Sequence, residues 1–241
     1  MADIVVGLQY GDEGKGKVVK HLIENNDYGV CVRFNGGPNA GHTLYYKGQK
    51  LVTHLIPSGI TRADCMCLIG PGCVVDEDKF GAEIRMLQEA GIPDVRERIK
   101  VASTAHLISD LHIEQDKAND RAGSTHCGIR PVYRDKYDRC GVRVSDKFTR
   151  ICGCEVVDSY HYLSEVTQPI LFEGAQGFML DIDHGNYPFV TSSHCTASCI
   201  TTTGYNYNLV RKVYGVAKIY RTYLGKMPDF EVENETFLKL A

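Results

Sequence analysis

"DIVVGLQYGDEGKGKVVK", residues 3–20, decides how the rest of the chain is read. "DIVVGL" is a short apolar run ending at a glycine and reads as a buried strand. A helix is predicted from about Lys15 to Ile23. Between the two, Gly11 to Lys17 fits G-x-x-x-x-G-K, the opening of a phosphate-binding loop in the strand-to-helix setting such a loop needs. Backbone N–H groups and a helix N-terminus would draw a phosphate there. Two features do not fit a plain cradle. Val18 stands where the usual motif has the Ser or Thr hydroxyl that holds magnesium, and two acids, Asp12 and Glu13, sit where a phosphate would be repelled. An acid belongs in such a loop if a cation lies between it and the phosphate, since magnesium prefers oxygen donors and bridges to phosphate. It also belongs there if Asp12 takes a proton from a substrate. A solvated acidic turn beside a structural glycine loop is the plain alternative.

Outward from this stretch, "YGVCVRF" (28–34) reads as a second strand, "NGGPNAGHT" (35–43) as a glycine-rich loop and "HTLYYKGQKLVTHLI" as a hairpin about a Lys-Gly turn. "CLIGPGCVVD" is a further strand and turn. "DEDKFGAEIRMLQEAGI" has helical spacing with a stop at Gly91. "PILFEGAQG" (169–177) is a strand entering another glycine loop, and "RKVYGVAKIYRTYL" a strand late in the order. Strands alternating with helices give an α/β class: a mostly parallel central sheet with flanking helices and a phosphate-binding loop after the first strand.

The 241 residues are 43% apolar and 24% charged with a net charge of −3, a balance that offers no general nucleic-acid or membrane surface. Any anion must therefore meet local basic groups. No segment approaches 18 apolar residues, and the start has no basic n-region before an apolar run. The expectation is a cytoplasmic chain whose ten cysteines are reduced. Cys65/Cys67 and Cys152/Cys154 are C-x-C pairs, better read as small apolar side chains than as zinc ligands.

Three other segments carry chemistry. His42 lies in the 35–43 glycine loop, where a proton donor is a better reading than core filling. Gln176 falls at a strand end in "FEGAQG". "DIDHGNYPFVTSS" gathers Asp181, Asp183 and His184, for which structural hydrogen bonding is preferred to a metal cluster.

Together, "GDEGKGK", "RFNGGPNAGHTL", "LVTHLIPSGI", "IGPGCVVD", "GIRPVYRDKYDRCGVRV" and "FEGAQGFMLDIDHGNYPFVTSS" resemble the adenylosuccinate synthetase family, in family order from residue 4 to about 228. The resemblance implies a magnesium-dependent homodimeric ligase of purine biosynthesis. GTP phosphorylates the 6-oxygen of inosine monophosphate, and the amine of L-aspartate then displaces that phosphate. It makes Asp12 both the base at ring N1 and a magnesium ligand, His42 an acid toward the γ-phosphoryl group, and the Gly41 carbonyl a second metal ligand. Gly11, Glu13, Gly14, Lys15, Gly16, Lys17, Gly41 and Thr43 fall at donor-nucleotide positions. Asn39, Ala40, Thr125, Gln176 and Thr191 fall at positions that hold the monophosphate, and Arg139 matches an arginine that reaches this phosphate in the other subunit.

There are departures. In the family, "YLGKMPDFE" precedes an arginine-rich loop that binds the aspartate carboxylates and, later, a Lys/Asp motif that reads guanine. Through Ala241 the sequence shows neither, so the expectation is one domain over 1–241 without those segments. "TTGRGIGP" has become "STHCGIRP", with Cys127 for an arginine and Arg130 for a glycine. His194 stands where asparagine is usual. Three readings stay open: a compact ligase of the adenylosuccinate type; a relative of the phage enzymes that join aspartate to deoxyguanylate with ATP or dATP; or a non-catalytic nucleotide-binding paralogue or half of a split enzyme. The phage relatives tend to replace the first-loop acid, whereas Asp12 is retained.

Overall fold

The computed structural model describes residues 1–119, 124–220 and 222–223. Its elements run β1 (Ala2–Gly7), α1 (Lys15–Asn25), β2 (Val30–Arg33), β3 (His42–Tyr46), β4 (Gln49–Thr53), β5 (Met66–Ile69), β6 (Val74–Val75) and α2 (Glu77–Glu89). They continue with α3 (Val95–Arg98), β7 (Ile99–Ala102), β8 (His106–Leu107), α4 (Asp110–Ala118), α5 (Ile129–Tyr137), β9 (Arg150–Ile151), β10 (Cys154–Val157), α6 (Ser159–Glu165), β11 (Ile170–Glu173) and β12 (Val210–Val216).

Eight strands form one sheet in the order β12-β1-β11-β2-β5-β7-β10-β9. All its pairings are parallel except β9 against β10. β1 is buried along its whole length, which is why it reads as a continuous apolar run: both of its faces are covered. Period two sorts the strand side chains between two cores. Val5, Cys31, Cys67 and Leu171 join one cluster with Val19 and Ile23 of α1 and Ile84 and Leu87 of α2. Ile4, Val6, Val32, Leu68 and Phe172 join the other, with Leu163 of α6 and Ile200. Cys65, Cys67 and Cys154 are buried members of the first cluster, acting as small apolar side chains. α2 begins where the Asp76 carboxylate accepts the Lys79 N–H at 3.0 Å and stops before Gly91, whose φ of +80° ends the helix as its position in the sequence suggested.

Two sequence boundaries shift. The 35–43 loop is shorter, because His42 and Thr43 pair with Thr53 and Val52 as the first residues of the β3–β4 hairpin. The late strand ends at Val216: β1 has already stopped at Gly7, and the ladder closes with the Leu8 N–H donating to the Val216 carbonyl at 2.9 Å. Of "YLGKMPDFE" only Tyr223 lies within the described residues. No helix among the described residues is long and apolar enough to cross a membrane.

Candidate functional site

The loops that leave β1, β2, β11 and β12 emerge from the carboxyl ends of neighbouring strands, the edge of a parallel sheet where ligands bind. The loop after β1 folds around its own second acid. Glu13 is buried and accepts the N–H groups of Gln9 and Gly11, both at 2.9 Å, while Lys15 Nζ donates to it at 2.7 Å. Lys15, whose affinity for its proton is lowered by burial and partly restored by Glu13, also donates to the Gly11 carbonyl at 3.1 Å. Glu13 therefore shapes the loop and neutralises Lys15. Gly177 packs so closely here that a Cβ would stand 2.4 Å from the Gln9 carbonyl and 2.5 Å from Glu13 Oε1, so this crossing admits only glycine. α1 opens after Gly14 (φ +87°), and the Lys17 N–H donates back to the Gly14 carbonyl at 3.0 Å.

Asp12 has a different partner. Its Oδ2 accepts from Lys218 Nζ at 2.9 Å and from the Thr222 hydroxyl. Its Oδ1 is buried and has no hydrogen-bond partner among the described residues.

His42 sits in a charged niche set by register. Val5, Glu173, Arg33 and Ile69 form one row across β1, β11, β2 and β5. Their parity aims both charges into the α1 face of the sheet. Glu173 is fully buried and accepts the Ser58 N–H at 2.7 Å, the Ser58 hydroxyl at 2.5 Å and His42 Nδ1, with Arg33 Nη2 3.8 Å away. Burial alone would raise the Glu173 carboxyl, but Arg33, His42 and Ser58 together hold it well below the usual carboxylate range. His42 is lowered to about 4 by burial first and Arg33 second, against the pull of Glu173. A neutral imidazole donating from Nδ1 to Glu173 and accepting from Arg33 Nη1 at Nε2, 3.2 Å, gives both ring nitrogens a partner, while Arg33 Nε has none among the described residues.

His106 is likewise lowered to about 4, by burial first and then by Lys136 and Arg143. Both folded values lie below the ordinary histidine value near 6.5, so the unfolded chain takes up these protons first. This contribution is complete above pH 6.5 and is lost as pH falls through 4, roughly 2–3 kcal/mol per histidine at ~1.4 kcal/mol per pH unit. In guanidinium unfolding at pH 7 and pH 4, His106→Asn should lose less stability on acidification than wild type by about that amount; an unchanged difference would refute it.

The loops enclose a cavity of about 730 Å³. Of the sequence-derived site residues it brings together Gly11, Asp12, Asn39, Ala40, Gly41, His42, Thr125, Gln176 and Thr191 on one wall system. Glu13, Gly14, Lys15, Gly16, Lys17 and Thr43 lie behind or beside it in the first loop and hairpin, and Arg139 is exposed beyond α5 with φ +61°. Besides Asp12 Oδ1, the amide atoms of Gln176 and Asn39 Oδ1 are buried without partners among the described residues. Buried polar groups are normally paired, so four orphaned atoms on three side chains of one cavity suit a polar ligand or ordered water there. Sequence reasoning missed Tyr10, His54 and Tyr223 on the cavity wall and Glu173, Arg33 and Lys218 behind it, while Arg130, noted only as a departure from the family pattern, also lines the wall. "FEGAQG" and "VRFNGG" held a signal for Glu173 and Arg33, a charge inside an apolar strand, whereas nothing local marks Lys218. Asp181 is structural, accepting the N–H groups of Asp183, His184 and Cys195.

Among the described residues no group of three or more His, Cys, Asp or Glu could enclose a metal. The Asp12 carboxylate and the exposed backbone of Gly41, on the same cavity, instead suit magnesium, which takes one or two protein oxygens and completes its shell with phosphates and water.

A glycine-rich loop after the first strand, at the carboxyl edge of a parallel sheet, places this chain among α/β proteins of the phosphate-loop class. The family is more particular. The adenylosuccinate synthetase family model matches residues 4–155 and 147–240, and the chain belongs to that family. It is 40% identical to adenylosuccinate synthetase of Shewanella piezotolerans over 284 residues, covering 96% of this chain and 65% of the relative. The Xanthomonas euvesicatoria enzyme is 40% identical over 276 residues, covering 93% and 64%. Fully ligated adenylosuccinate synthetase from Plasmodium falciparum superposes with a TM-score of 0.86 at 28% identity, over 99% of this chain and 66% of that one. Cyanophage S-2L succinoaminodeoxyadenylate synthetase bound to dGMP and dATP gives 0.77 at 28% identity, over 90% and 63%. The chain thus spans just under two thirds of the length of these relatives.

Proposed function

We propose that the protein is a nucleoside-triphosphate-dependent ligase that joins L-aspartate to C6 of a purine nucleotide, with inosine monophosphate as acceptor and GTP as donor. The observation that carries this is Asp12 Oδ1: a buried, unpartnered carboxylate oxygen on the wall of a cavity that also presents the free amide of Gln176. Asp12 takes the N1 proton of the purine, the 6-oxygen gains electron density and attacks the γ-phosphorus, and GDP leaves. The aspartate amine then attacks C6 and inorganic phosphate departs. Gln176, Asn39, Ala40, Thr125 and Thr191 hold the monophosphate. Once turned out of its niche, away from the burial and the Arg33 charge that hold it neutral there, His42 acts as the acid toward the γ-phosphoryl oxygens. The first loop and Lys15 receive the donor phosphates. Magnesium, bound by Asp12 and the Gly41 carbonyl, would neutralise the charge on the transferring phosphoryl group. Arg139 is exposed and away from its own chain's cavity, which suits a role in a partner's cavity within a homodimer.

A second reading takes deoxyguanylate and an adenine nucleotide, and the likeness to the S-2L enzyme bound to dGMP and dATP favours it. Retention of Asp12 weighs for the first. The test is phosphate release by the full-length protein with L-aspartate and Mg²⁺, crossing inosinate and deoxyguanylate against GTP and ATP. Aspartate-dependent release with inosinate and GTP is expected. Release only with deoxyguanylate and ATP selects the second reading, and silence with all four pairs refutes both.

A further inference from the structure

Lys218 is the one basic side chain the structure places directly on Asp12 among the described residues, although 206 positions separate the two. Its placement is built in. The β1–β12 ladder runs out with the Leu8 N–H on the Val216 carbonyl, and two residues past Val216 the chain is gripped again. The Lys218 N–H donates to Gln9 Oε1 at 2.9 Å, and Gln9 Nε2 donates to the Lys218 carbonyl at 3.2 Å. Gln9 belongs to the loop that carries Asp12. The backbone of Lys218 is thus fixed to the phosphate loop, and its side chain has only to span the gap to Oδ2.

That side chain donates to Asp12 Oδ2 at 2.9 Å and to Thr222 Oγ1 at 2.8 Å, and Thr222 donates to the same Oδ2. Two donors therefore hold one carboxylate oxygen, while the other, Oδ1, is left to the cavity. Two donors, one of them an ammonium, leave Oδ2 unable to take a divalent cation, because like charges repel and its lone pairs are used. The ammonium has somewhere to go. It is partly solvent-exposed, on a flexible stem, and lies 5.9 Å from the centre of the Tyr220 ring, a surface that accommodates cations.

We propose that Lys218 is a positioning residue for Asp12. With no metal bound it occupies the cation's place at Oδ2 and keeps Oδ1 aimed at the cavity, and it yields Oδ2 when a divalent cation arrives with nucleotide. The inference rests on the reading of Asp12 as a metal ligand.

The test is Mn²⁺ binding to the full-length protein in saturating GDP, with a parallel series in ADP, followed by the EPR signal of free Mn²⁺. Lys218→Met should bind Mn²⁺ about tenfold more tightly than wild type, because the competing charge is gone. Lys218→Arg should restore wild-type or weaker binding, and Asp12→Asn should lose the site. Lys218→Gln, which keeps a neutral donor, should fall between Met and wild type and serves if the Met variant does not fold. Unchanged or weaker binding in the Met and Gln variants, with the site lost in Asp12→Asn, overturns the role of Lys218 alone. Unchanged binding in Asp12→Asn overturns the metal-ligand reading and this inference with it.

Discussion

Asp12→Asn loses turnover by at least about 10³-fold, while the affinity for nucleoside monophosphate stays within about threefold of wild type. The size comes from the role. A positioned general base contributes roughly 10²–10⁴ in rate, and in the proposed mechanism Asp12 would also carry the charge that faces the metal. The selectivity comes from the geometry. Asparagine keeps the shape of the side chain, and its amide oxygen can still accept from Lys218 and Thr222, which hold Oδ2. The Asp12–Lys218 pair is partly exposed, and such pairs contribute only about 0–1 kcal/mol. The fold should therefore melt almost where wild type does. The monophosphate would still meet Gln176, Asn39 and Thr191 in the same cavity. Steady-state phosphate release and monophosphate titration on the same preparation test both halves. Turnover within tenfold of wild type would remove Asp12 from the chemistry, and a parallel collapse of affinity would make it a shaping residue like Glu13.

The difference between those two acids shows where sequence reading stops. That a strand, a glycine loop and a helix occupy residues 2–25 is local information. Apolar periodicity and G-x-x-x-x-G-K both act within a few residues, and the structure returns all three elements. The Lys47-Gly48 turn and the Gly91 stop of α2 were legible for the same reason. Which acid of Asp12-Glu13 turns inward was not. Glu13 is drawn in by two amides and a buried lysine, a choice made by loop closure and not by composition. Strand order is also absent from a periodic pattern. Nothing in "RKVYGVAKIYRTYL" says that β12 lies beside β1, and only that neighbourhood brings Lys218 to Asp12. His42 stood out in the sequence because it lies in a glycine-rich loop. Its orientation depends on Glu173, 131 residues away, and so on the β2–β11 pairing.

The same pairing sets the largest expected loss of stability. Glu173→Leu and Arg33→Met should each destabilise the protein by about 3–5 kcal/mol, since removing one partner of a buried ion pair strands the other without water. Both side chains are essentially inaccessible, at 0% and 1% exposure, and they occupy facing positions in the middle of the sheet. Neither charge can reach solvent without breaking β2 from β11. In Glu173→Leu the guanidinium retains His42 Nε2 as an acceptor but loses its only nearby anion among the described residues, and the Ser58 N–H and hydroxyl lose theirs as well. In Arg33→Met the carboxylate keeps Ser58 and His42 but loses the charge that most offsets its burial. The double variant leaves two apolar residues of similar length side by side, so it should be more stable than the sum of the single losses predicts, by at least about 1 kcal/mol. Urea unfolding of the four proteins closes the cycle. Strict additivity would mean that Arg33 and Glu173 are each held by their other neighbours and that the short contact between their strands is not an energetic pair. A coupling of the expected sign would show that the niche holding His42 is maintained by charge in the sheet interior, independently of any nucleotide.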